Sequence, residues 1–221
     1  MSEIEYTLVR CDRKTTAIRV LTDGSVEVRA PRRLPVQEIE RFLNEKKDWI
    51  EKHRQIMQER YPLHLEPRKI LYKGNWKTIR PLMENKILFD GEFFYAPENW
   101  SDAELKAAVE DILKKLARSE LIPLARQIAL HIGAEPQRIS VTGAKTKWGS
   151  CSDGKNINLS WRLLTAPVDA IEYVIIHELC HMQEMNHSRR FWTLVEEYVP
   201  DWHAKREKLS QVQVWLDAYF K

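Results

Sequence analysis

The segment Tyr173-Val-Ile-Ile-His-Glu-Leu-Cys-His181 sets two imidazoles and a carboxylate directly behind an apolar run. Hydropathy of this kind places the segment inside a core. Its ionisable groups then need partners, because an unpaired buried polar group costs roughly 2–7 kcal/mol. Read as a helix, His177 and His181 lie ~40° apart round the axis and one turn apart in height. Both rings can reach one metal ion. Glu178, ~100° further round, can approach a water beside that ion without ligating it. His187 follows His177 by ten residues, so three nitrogen donors are available and a fourth position stays open, as in catalytic zinc sites.

There is a geometric condition. A helix running straight to residue 187 would carry that ring ~15 Å along the axis, out of reach. The chain must turn after His181, and Asn186 is expected to make the break in the left-handed conformation, with Ser188 capping a helix that begins at Arg189. A Glu from that following helix, Glu196 or Glu197, is the alternative third donor. A metzincin arrangement is excluded: Glu184 stands where those proteins need Gly, and no Met follows Met185.

Two regions are expected. Residues 1–98 read as a β-rich N-terminal domain. Ala17–Val20 and Ser25–Val28 alternate apolar and charged residues around an Asp23-Gly24 hairpin turn. Apolar residues from Val36 to Met57 recur at helical spacing, which predicts one long helix over about 35–58 ended by Pro62 and Pro67. Short strands return over 69–96, with a second turn at Asp90-Gly91. Residues 99–221 read as the domain that carries the chemistry. Ser101-Asp-Ala-Glu104 is a capping box opening a long helix that Pro123 should kink or restart. Strands are predicted at Ile139–Val141 and Asn156–Trp161, the second either an edge for an extended peptide or a strand that only packs on the His177 helix. Pro167 suits the start of that helix, and two more helices close the chain.

Composition narrows the class without naming a partner. In 221 residues, 43% are hydrophobic and 8 are Trp, enough for a sizeable core. No apolar run reaches the ~18–20 residues of a membrane helix, so no membrane partner is expected. Three scattered cysteines make no disulfide framework, and no secretion signal is visible, so a reduced, cytoplasmic protein is expected. The net charge of +3 is uninformative. Lys145, Lys147, Lys155, Arg162, Arg189 and Arg190 form one local basic cluster, more simply a solvated surface than a nucleic-acid face. Trp148, Trp161, Phe191 and Trp192 read as core or cleft wall, and Cys151 and Cys180 as packed thiols rather than ligands.

Thr146-Lys-Trp-Gly-Ser-Cys-Ser152, Asn156–Leu163, Ala166-Pro167, Tyr173-Val174, His177–His181, Asn186-His-Ser188, Phe191-Trp192 and Asp201-Trp202 together resemble the YgjP-like metallopeptidase domain over nearly the whole chain. SprT-like and WLM metalloproteases are more distantly similar. The resemblance implies an α+β, zincin-like fold with the HExxH helix on a small sheet, a Zn2+ ion held by His177, His181 and His187, and hydrolysis of a peptide or protein substrate with Glu178 as catalytic base. In that mechanism zinc lowers the pKa of its water to ~7, and Glu178 takes the proton and passes it to the leaving amine. Tyr198, His203 and Arg162 are candidate oxyanion stabilisers. The competing reading is a zinc-containing, DNA-associated binding module whose metal is mainly structural; a fourth protein ligand such as Cys151 would favour it. The oligomeric state is not legible.

Overall fold

Alternation over Ala17–Val20 (β2) and Val26–Pro31 (β3) gathers Val20, Val26, Val28 and Ala30 on one buried face, and the two strands pair antiparallel with Ile18 opposite Val28. This is seen in a computed structural model, which describes residues 4–21, 24–60 and 68–220, the side chains of 56–60 excepted. Asp23, Pro62, Pro67 and the side chains of Ile56 and Met57, which figured in the sequence reading, lie outside the described residues. Thr7–Cys11 (β1) runs parallel to β3 on its other side.

One helix was expected over 35–58, but there are two, Val36–Glu45 (α1) and Lys47–Arg60 (α2). The break is at Lys46, whose N–H is shared between the Phe42 and Leu43 carbonyls. No Pro or Gly marks it. Ile39, Leu43 and Ile50 are buried together on either side of it, so the apolar period runs on across the break and hides it.

The chain divides into two compact units, Met1–His64 and Leu65–Lys221. The expected boundary near residue 98 therefore moves. Lys69–Tyr72 (β4), Asn75–Pro81 (β5), Leu88–Phe89 (β6) and Phe94–Ala96 (β7) form a sheet in the order β4-β5-β7-β6. Its Ile70, Ile79 and Phe94 share one apolar core with the helices that follow, which is what ties these strands to the second unit. Burial of that kind is worth roughly 1.5–3 kcal/mol per large side chain.

Helix α3, Asp102–His131, starts at the Ser101 cap with the full reciprocal capping box. It runs unbroken through Pro123. Its buried positions from Leu105 to Ala129 recur every four residues, so the buried stripe winds ~40° per step and meets different partners along the helix. Leu121 and Ala125 on either side of the proline stay buried, and this packing holds the helix where local propensity would end it.

The strands Arg138–Thr142 (β8), Gly149–Cys151 (β9) and Asn156–Ser160 (β10) form a second sheet in the order β8-β10-β9. Asn156–Ser160 is thus the central strand and not an edge. The sequence concealed this because the three residues of β9 are too few to show alternation. A 3-10 turn, Trp161–Thr165, leads into helix α4, Val168–Cys180. The β4–β5 turn anchors this junction: Lys73 and Gly74 donate to the Leu164 and Thr165 carbonyls. Gly74 has φ +76°, and a Cβ there would come 2.8 Å from Pro167, so only glycine fits.

Helices α5, Arg189–Tyr198, and α6, Trp202–Tyr219, pack against α4. Lys205 and Lys208 of α6 both bind Asp169 Oδ2 in the first turn of α4, at 2.7 and 2.6 Å. Hydrogen bonds from Lys205 and then Lys208 hold the Asp169 carboxyl down at about 2, against an ordinary 3.8. A lowered folded-state pKa stabilises above the ordinary value, and the contribution is lost as pH falls through the folded one. Asp169→Asn is therefore expected to cost ~1 kcal/mol at neutral pH, the carboxylate being partly solvated. In urea titrations at stepped pH, the gap from wild type should close from about pH 4 down to about pH 2. A gap that does not change with pH would mean that shape, and not charge, joins the two helices.

Candidate metal centre

Helix α4 is buried on most of its circumference, from Ala170 to Cys180, and delivers His177 and His181 on neighbouring turns. It ends at Cys180. The exit is made by tight turns: Met182 and Gln183 donate to the Leu179 and Cys180 carbonyls, and Glu184 also donates to Cys180. Asn186 was expected to turn the chain in the left-handed conformation, but it is not among the residues with positive φ. The short-range hydrogen bonds bend the backbone instead. Ser188 caps α5 as expected, its Oγ accepting from the Phe191 N–H at 3.3 Å.

This corner brings His187 back over the helix. One nitrogen each from His177, His181 and His187 falls within 4.8 Å of the others, and the three can hold a metal ion. The ring chemistry fits a cation. His181 Nδ1 lies 3.0 Å from the Glu184 carbonyl, so it carries the proton and Nε2 keeps its lone pair. His177 Nε2 and His187 Nε2 face each other at 3.1 Å. Two such lone pairs repel unless a proton or a cation lies between them. His177 Nδ1 is buried with no hydrogen-bond partner among the described residues. Burial, then the charges of His181 and His187, pushes His177 down to about 3, and burial also lowers His181. Both are therefore neutral at pH 7, the form that ligates. Phe191, fully buried, lies beneath all three rings, stacked on His181 with centroids 4.3 Å apart.

Glu178 sits beside this cluster at 6% exposure. Burial raises its carboxyl to about 7, opposed by the Lys147 ammonium and by a hydrogen bond from the Cys151 backbone. A dication among the imidazoles would draw it back down. Above Glu178 lies β9. An added Cβ on Gly149 would be 2.6 Å from Glu178 Cγ and 2.8 Å from Oε1, so the carboxylate occupies space that a side chain would fill. His177, Glu178 and His187 open onto a cleft of about 500 Å³, walled also by Trp148, Tyr173 and Trp192.

Comparison with known proteins places the molecule. The sequence profile described as YgjP-like, metallopeptidase domain, matches residues 14–212. The chain belongs to the YgjP-like metallopeptidase family. Two solved structures are similar to it: the metallopeptidase zymogens of Pyrococcus abyssi abylysin and of Methanocaldococcus jannaschii jannalysin. The first is 22% identical with a TM-score of 0.38, over 44% of this chain and 95% of its own. The second is 21% identical with a TM-score of 0.37, over 43% and 96%. At that level neither carries an argument about the site. No curated protein matches.

The YgjP-like family makes this chain a metal-dependent hydrolase, and the architecture is mixed α+β. Among the described residues the cluster of possible ligands contains neither Glu196 nor Glu197. Glu196 accepts instead from the Trp202 indole at 3.4 Å, and Glu197 borders a groove with Arg189 and Arg190. Of the aromatics, Trp148 and Trp192 line the cleft while Trp161 and Phe191 are core. Burial raises the thiols of Cys151 and Cys180, the second to about 12, so neither is a ready thiolate. Tyr198, His203 and Arg162 do not line the cleft; Arg162 is buried under Trp161 and Phe220, which also removes it from the basic cluster. Gly149, Tyr173 and Arg206 do border the site, yet sequence reading gave none of them a role there. Tyr173, one turn before His177, was the one with a signal to find. Among the described residues, no helix is long and apolar enough to cross a membrane.

Proposed function

We propose that this YgjP-like protein is a zinc-dependent peptidase of zincin-like fold that cleaves a peptide bond with water. His177, His181 and His187 would hold the metal, and Glu178 would be the general base. The observation that carries the reading is the convergence of three imidazole nitrogens within 4.8 Å, beside a buried carboxylate that faces an open cleft. The donor set favours zinc: three neutral imidazoles with no carboxylate leave one position free. Bound there, zinc supplies Lewis acidity and brings the pKa of a water to ~7. Glu178 accepts that water's proton and returns it to the amine that leaves. Since the strand bordering Glu178 is the sheet-edge strand β9, the extended substrate belongs along β9 rather than β10.

The binding-module reading requires a fourth protein ligand. Among the described residues no other His, Cys, Asp or Glu joins the cluster, which favours catalysis. Elemental analysis of purified protein is expected to give about one zinc per chain, in keeping with a three-ligand site. Chelation is expected to lower the melting temperature by an amount equivalent to ~3–4 kcal/mol, for metal present at 100–1,000 times its Kd. His187→Ala should abolish most of that difference. A chain that takes up no transition metal after zinc is added back would overturn the proposal.

A further inference from the structure

Helices α4 and α6 line the cleft together with β9, and one of the cations there has no partner among the described residues. On α6, Lys205 is engaged with Asp169 and Asp201 at 2.7 and 2.8 Å, and Lys208 with Asp169. These contacts fix the rotation of α6 on α4, with Arg206 facing the cleft. Among the described residues, the Arg206 guanidinium makes no ion pair and no hydrogen bond. Its charge nevertheless reaches both Tyr173 and His177. Tyr173 also lines the cleft, and its hydroxyl makes no hydrogen bond to another described residue. Among the described residues Glu178 is the one acidic group in the lining, whereas Lys147 adds a second cation from the β9 side. The cleft is therefore a positive, concave surface whose best hydrogen-bond donors are unused. A planar guanidinium and a phenol hydroxyl bordering one cleft are matched in charge by a carboxylate, which Arg binds through two parallel N–H donors.

We infer that Arg206, together with the Tyr173 hydroxyl, binds a carboxylate of the substrate one helical turn from the metal site. The peptides taken are then those that carry an acidic side chain, or a free C-terminus, next to the scissile bond. This rests on the peptidase reading above, but it concerns which peptide is held and not how it is cut.

The test separates the two. Zinc-loaded Glu178→Gln protein is titrated by calorimetry with four peptides of one length and one neutral background. One is capped at both ends and contains Asp, one has a free C-terminus, one is capped and neutral, and one is capped and contains Lys. The Asp or free-terminus peptide is expected to bind about tenfold or more tightly than the capped neutral one. Preference for the Asp peptide assigns the partner to a side chain; preference for the free terminus assigns it to the chain end. Adding Arg206→Glu is expected to erase this preference and to favour the Lys peptide. Arg206→Met, which removes charge without reversing it, serves if circular dichroism shows the Glu variant misfolded. Equal binding of all four peptides, or an unchanged preference in both Arg206 variants, overturns the inference. Failure of the peptidase reading shows elsewhere, as zinc-loaded wild type that cleaves none of the four.

Discussion

Glu178→Gln is expected to keep its zinc and to lose ~10²–10⁴-fold in kcat on any peptide the wild type cleaves. The substitution keeps the volume of the side chain and an oxygen that can accept from the Cys151 N–H. It removes the ability to take a proton. The surroundings explain why so much rests on one group. Among the described residues Glu178 is the one carboxylate lining the cleft, and it is almost wholly buried. The measurement is single-turnover cleavage with zinc content determined on the same sample. A variant with full zinc and undiminished turnover removes Glu178 from the proposed mechanism. Loss of zinc along with activity would instead point to a ligand or structural role.

Gly149→Ala is expected to cost on the order of 10²-fold in kcat with zinc stoichiometry unchanged, the size of loss that follows a displacement of ~1 Å in a catalytic group. The new methyl would lie 2.6–2.9 Å from Cγ, Cδ and Oε1 of Glu178, closer than unbonded atoms approach. Glu178 must then rotate away, because β9 is held to β10 through the Gly149–Leu159 and Cys151–Ile157 pairs. The proposed His ligands lie on α4 and beyond, and do not depend on that rotation. Ser150→Ala, on the opposite face of the same strand, is the control and should stay near wild type. If Gly149→Ala cleaves at the wild-type rate, the glycine is a packing feature of the sheet and does not position the base.

Much of the architecture could be read along the chain. The β2–β3 pair follows from strict alternation, and the α3 start from Ser101 and Glu104. The errors have identifiable physical origins. Lys46 breaks a helix without any helix-breaking residue, because the apolar stripe continues across it. Pro123 fails to break one, because packing around Leu121 and Ala125 outweighs the lost hydrogen bond. The boundary expected near residue 98 fails because β4 to β7 bury their apolar faces in the core of the second unit, and spatial sharing of that kind leaves no mark in composition.

The candidate site divides in the same way. The donor types and their spacing on α4 are legible along the chain, since helical periodicity sets His177 and His181 on one side with Glu178 ~100° round from His177. The sequence also required a turn before His187, because the rise of a helix would otherwise carry that ring away. Packing settles how the turn is made, that His187 joins the cluster while Glu196 and Glu197 do not, and that Gly149 from one strand and Arg206 from another helix border the same cleft. Gly149 and Arg206 are 29 and 28 positions from Glu178. Local propensity acts over a few residues, whereas such contacts are set by the packing of a sheet and two helices around α4.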